Sequence, residues 1–110
     1  VGGYGTSRSG RIIAQGQLAV GASTVQFSAT AVPCALVWVG APSANHTKGS
    51  QNTGRILVGK ESGGNASGGR PIETTDYAGF LIPVNDLSHL WATGFNANDV
   101  VEYQAYGDPA

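Results

Sequence analysis

Apolar residues come in short bursts along this chain, some contiguous and some at every second position, and between the bursts lie glycine, serine, asparagine and proline. That period suits β-strands, in which successive side chains point to opposite faces. Arg11 to Val20 carries Ile12, Ile13, Leu18 and Val20 around Gln15-Gly16-Gln17, and Gly21-Ala22-Ser23 turns the chain. Thr24 to Ser28 alternates, with Val25 and Phe27 on one face. Pro33 to Gly40 is the most apolar stretch, and its β-branched content and flanking prolines predict a central strand. Arg55 to Gly59 reads as a strand, Pro71-Ile72 as a short edge strand, and Tyr77 to Val84 as a strand with Phe80 and Ile82 facing one way. Asn85 to His89 resembles a short helical or 3₁₀ turn that Asn85 or Asp86 could cap. Leu90 to Thr93 is a further strand, Gly94 to Asp99 a turn, and Val100 to Tyr106 alternates Val101, Tyr103 and Ala105 against Glu102 and Gln104.

These bursts predict about eight short strands, no substantial helix, and a single all-β sandwich, jelly-roll-like, over residues 11–110. Two polar stretches, Ser43 to Thr53 and Lys60 to Gly69, are expected as loops at the sandwich ends. Residues 1–10 show neither period and read as a flexible N-terminal arm. Ordering ten such residues costs on the order of 10–20 kcal/mol of backbone entropy, so a neighbouring subunit is the preferred anchor.

Composition narrows the function. The chain has 110 residues, a single domain's length, and 41% hydrophobic residues, enough for one core. Only 12% are charged and the net charge is -1, which gives no electrostatic footprint for nucleic acid or an anionic membrane. A charge-poor surface favours association. The single cysteine, Cys34, sits in an apolar run and reads as a buried, inert thiol, which suits assembly in a reducing cytoplasm. No signal peptide or apolar run of transmembrane length is visible, and removal of an initiator before valine accounts for a start at Val1.

No catalytic, metal or cofactor motif stands out. The acidic residues are dispersed beside turn residues, where capping roles outweigh a glycosidase pair. His46 and His89 lie far apart in sequence without a Cys or His nearby, so neither reads as a zinc ligand. The glycines of Ser62-Gly63-Gly64 and Ser67-Gly68-Gly69 lack the Lys-Ser/Thr of a phosphate loop. Two glycosylation triplets, at Asn45 and Asn65, read as chance in loops rich in Asn and Ser. Trp38, among aliphatic neighbours, reads as core. Trp91 shares its parity with His89 and Thr93; core packing is preferred, and exposure would mark a ligand or subunit contact.

The second half carries an ordered pattern. It runs Val37-Trp38-Val39-Gly40-Ala41, then Asn52-Thr53-Gly54-Arg55-Ile56-Leu57-Val58-Gly59, Pro71-Ile72, Phe80-Leu81-Ile82-Pro83-Val84-Asn85-Asp86-Leu87-Ser88-His89-Leu90-Trp91, Gly94 and Val100-Val101-Glu102-Tyr103. This resembles small phage structural proteins of the head-decoration (cement) type over residues 24–106. The resemblance implies a non-enzymatic virion protein on the capsid surface, bound to the major capsid protein as a homo-oligomer, with a trimer favoured. The expected contact residues are Tyr4, Arg8 and Arg11 on the arm, His46, Lys48 and Arg70 in loops, and Trp91. Two rivals stand beside it. A carbohydrate- or receptor-binding module of a tail or fibre would expose Trp91 or tyrosines beside loop Asn and Asp residues. A small hydrolase would face two carboxylates across a cleft.

Overall fold

The computed structural model describes residues 11–43, 49, 51–60 and 69–107. The N-terminal arm, most of both predicted long loops and the last three residues lie outside them. The strands are β1 (Ile12–Ala19), β2 (Thr24–Gln26), β3 (Leu36–Gly40), β4 (Ile56–Gly59), β5 (Arg70–Ile72), β6 (Phe80–Ile82), β7 (Trp91–Gly94) and β8 (Val100–Tyr106). One 3₁₀ turn, Leu87–His89, lies between β6 and β7. Every predicted strand is present: most are shorter than expected, Val100–Tyr106 keeps its predicted bounds, the Pro71-Ile72 strand gains Arg70, and the Leu90–Thr93 strand shifts to Trp91–Gly94.

The eight strands form two antiparallel four-stranded sheets, ordered β1-β8-β3-β6 and β2-β7-β4-β5. The pairings β1 with β8, β2 with β7, β3 with β6 and β4 with β5 are those of one long antiparallel ribbon folded back on itself. Rolling that ribbon sends successive pairs to opposite sheets and adds the β3–β8 and β4–β7 pairings. This is the jelly-roll connectivity. Among the described residues, four connecting segments gather at one end of the sandwich: residues 20–23, 41–43 with 51–55, 73–79 and 95–99. The chain enters β1 at the other end, since Ile12 pairs with Tyr106 and Ala19 with Val100.

Alternation decides which side chains fill the sandwich. Val37, Val39, Val101 and Ala105 from the first sheet meet Ile56, Val58, Ile72 and Ala92 from the second, all at most 3% exposed. Phe27, just past β2, meets Tyr103 of β8 edge to face across the layers, with ring centroids 5.5 Å apart. Cys34 is buried, as expected, with its Sγ 3.3 Å from the Val84 carbonyl.

Both tryptophans depart from the core reading. Val37 and Val39 take the inside of β3, so Trp38 between them must face outward. Leu90 and Ala92 are fully buried, so Trp91 points to the outer face of the second sheet, where it is half-buried. An apolar run with both parities hydrophobic does not announce which parity meets the core.

The connection into the 3₁₀ turn is fastened by Asp86. Its Oδ1 accepts from the Val32 amide at 2.9 Å, the Ser88 amide at 2.9 Å and the Ser88 hydroxyl at 2.7 Å. The Val32 amide foremost, then Ser88, holds this carboxyl below the ordinary value of 3.8. A carboxyl depressed on folding stabilises the fold above its unfolded pKa, and that contribution is lost as the pH falls through the folded value. Urea midpoints measured against pH should therefore decline below about pH 4. Asp86→Asn, which keeps an acceptor oxygen, should flatten part of that decline; a slope identical to wild type would remove Asp86 from the account.

Candidate functional site

Two surfaces stand out. The first is the end of the sandwich where residues 20–23, 51–55, 73–79 and 95–99 meet. It is braced from beneath by Asp99, which is fully buried. The Asp99 carboxylate accepts from the Thr53 amide at 2.8 Å and the Gly54 amide at 2.9 Å. Its carbonyl accepts from the amides of Val20 at 3.1 Å and Gly21 at 3.0 Å. Beside it, the Asn52 side chain copies a strand partner for Val100. It donates to the Val100 carbonyl at 2.6 Å and accepts from the Val100 amide at 2.9 Å. The Asn52-Thr53-Gly54 triplet is thus a latch that ties one turn to two others. On this braced end two aromatics are exposed: Phe95 at 53% and Tyr77 at 43%. Tyr77 is oriented by its hydroxyl, which donates to Gln51 at 2.7 Å.

The second surface is the outer face of the β1-β8-β3-β6 sheet. Register lines up its side chains in rows. Gln15, Gln104, Trp38 and Leu81 form one row, Gln17, Glu102 and Gly40 the next, and Ile12, Tyr106 and Leu36 a third at the far end. Gln104 donates to Gln15 at 3.3 Å, Gln17 to Glu102 at 3.3 Å, and the Tyr106 hydroxyl to Gln104 at 2.5 Å. A groove of about 440 Å³ runs over Gln15, Gln17, Glu102 and Gln104 with Trp38 as a wall. The Trp38 indole lies across Gly40, where a Cβ would come within 2.7 Å of the ring, and its Nε1–H donates to the Ala78 carbonyl at 2.8 Å.

The contact residues read from the sequence are not brought together. Tyr4, Arg8, His46 and Lys48 lie outside the described residues. Arg11 is exposed at the entry to β1, where its carbonyl accepts from the Gly107 amide. Arg70 opens β5 and does not sit free in a loop. Its guanidinium lies 3.9 Å above the Phe80 ring and closes the flank where the β5 and β6 edges face each other. Trp91 lies on the outer face of the second sheet, opposite Gly59 and Gln26.

The described carboxylates have local partners. Glu73 pairs with Arg55 at 3.0 Å, Asp76 accepts from the Glu73 amide, Asp86 caps the 3₁₀ turn and Asp99 braces the latch. Glu102 is the one that lines the groove. Among the described residues no three His, Cys, Asp or Glu side chains are grouped to hold a metal ion, and no helix is long and apolar enough to cross a membrane.

Sequence reasoning missed Phe95, Tyr77 and the Trp38 groove. The signal for the groove was present in Gln15-Gly16-Gln17 and Glu102-Tyr103-Gln104, two strands whose outward parity is amide and carboxylate. Compared with protein-family models, curated proteins and solved structures, the chain matches none.

Proposed function

We propose that the chain is a non-enzymatic virion structural protein, a phage capsid decoration (cement) protein that binds and stabilises the outer capsid lattice. The observation that carries this reading is the exposure of two aromatics, Phe95 and Tyr77, on an end of the sandwich braced by the buried Asp99. Exposed aromatics on a stiff frame suit a contact anchor, because little ordering entropy is lost when they are covered. A closed ring of copies, a trimer first, multiplies a modest contact into lasting attachment to the major capsid protein. β1 begins at the opposite end of the sandwich, just after Arg11, and clamping of a neighbour by residues 1–10 is part of the proposal.

Purified particles of the virus that encodes the chain should carry it in a copy number set by the lattice symmetry, and stripped particles should take it up again. Deleting residues 1–10 should leave a folded domain that no longer sediments with particles. Phe95→Ala combined with Tyr77→Ala should reduce sedimentation with unchanged folding. Undiminished binding by the truncated chain rejects the arm as clamp; absence of the chain from purified particles rejects the whole reading.

A further inference from the structure

We infer that the groove on the outer face of the β1-β8-β3-β6 sheet is a binding site for neutral saccharides. The inference is independent of the attachment role, which uses the turns at the end of the sandwich and the N-terminal arm.

Three observations converge on that ligand class. The first is the indole of Trp38. Its ring lies over Gly40, its Nε1–H is tied to the Ala78 carbonyl, and Gly79 packs against its pyrrole edge. A tryptophan fixed on one side by glycine backbone has lost its rotamer freedom before any ligand arrives, so it is a preorganised platform for the apolar face of a sugar ring. The second is the array beside it. Gln104 is the direct cross-strand partner of Trp38, and Gln15 is the next in the row. A primary amide offers two donors and two acceptor lone pairs. The Gln104-to-Gln15 bond aligns the two side chains and leaves further donor and acceptor capacity facing the groove. Hydroxyl groups, which both donate and accept, match such a surface.

The third is charge. Among the described groove residues Glu102 alone is ionisable to an anion at neutral pH, and no cation lines the groove. Phosphates, nucleic acid and sialylated or uronic sugars are therefore repelled, whereas a neutral polyol gains charge-assisted hydrogen bonds to that carboxylate. A purely apolar ligand would cover the amides without pairing them. The volume of about 440 Å³ falls within the range of small-ligand sites and leaves room for a short oligosaccharide.

The test is titration of the full ¹⁵N-labelled chain with maltose, cellobiose and lactose, with sialyllactose as the charged arm. At least one neutral disaccharide should give saturable shifts of the Trp38 indole N–H and the Gln15 and Gln104 side-chain amides. Gln104→Ala and Glu102→Gln should each weaken that binding about tenfold, the equivalent of about 1.4 kcal/mol. Sialyllactose should bind more weakly than lactose. Trp38→Phe, which keeps an aromatic ring if Trp38→Ala fails to fold, should retain part of the affinity. Three results overturn the proposal: no shifts at these residues with any of the neutral sugars, binding that survives both Gln104→Ala and Glu102→Gln, or shifts that follow protein concentration without sugar, which would mean a second copy occupies the groove. Gln104→Ala should sediment with particles as wild type does, so failure here is separable from failure of the capsid reading.

Discussion

Asp99→Ala is expected to lower the unfolding free energy by about 2–6 kcal/mol, because it takes a buried acceptor away from two partly buried amides whose hydrogen bonds to it contribute about 1–3 kcal/mol each. The Asp99 side chain is fully buried, and its two oxygens take the Thr53 and Gly54 amides separately. A domain of this size has a total stability of roughly 5–15 kcal/mol, so the loss is a large fraction of it. Asp99→Asn should fall between the two, since one amide oxygen can still accept while its NH₂ opposes the second backbone donor. Urea unfolding of the three proteins gives the ranking. Hydrogen exchange gives the location: the Thr53 and Gly54 amides should lose protection first in Asp99→Ala. A loss below about 1 kcal/mol would show that the latch is not what holds this end together. Particle binding should fall along with it, because Phe95 follows β7 directly and sits in the turn that Asp99 closes.

The same latch shows where sequence reading stopped. Asn52-Thr53-Gly54 stood out as a pattern before a strand, but its partners, Asp99 and Val100, lie 45 to 48 positions away. A buried carboxylate and a turn carboxylate look identical in a sequence. Only the roll of the ribbon sets Asp99 beneath the triplet. The strands themselves were legible because each is a short apolar or alternating run bounded by turn residues, so local spacing carries the signal. The cap of the 3₁₀ turn was narrowed to Asn85 or Asp86, since such a cap needs only an amide two residues on, and the structure assigns it to Asp86. Surfaces were less legible. Arg70 looked like a free loop cation, yet β5 begins there and Phe80 of the other sheet lies under it. Trp38 looked like core because its neighbours are core, although alternation makes neighbours of a buried strand residue face the other way. What the outer face of a sheet presents depends on which strands become neighbours, and Gln15, Gln104 and Trp38 come from three separate segments.

Gly79→Ala is the second substitution expected to cost several kcal/mol, and it joins the fold to the groove. Gly79 has φ +64, in the left-handed region, and a Cβ there would overlap the Val39 carbonyl oxygen. An alanine adds about 1–2 kcal/mol for the left-handed backbone. The overlap adds typically 1–3 kcal/mol more, because the obstacle is backbone of a central strand and cannot swing aside. The strain is relieved only if the entry to β6 peels away from β3. That movement carries off Ala78, whose carbonyl holds the Trp38 Nε1–H, and it removes the glycine surface against which the indole rests. The expected result is a loss of about 2–5 kcal/mol in urea unfolding. The Trp38 indole N–H resonance should shift, and saccharide affinity should weaken in whatever protein remains folded at low temperature. A variant that kept wild-type stability would show that the β6 entry is free to move away from β3. One that lost stability but kept the Trp38 resonance in place would show that the Ala78 contact does not position the ring, and that packing on Gly40 alone suffices.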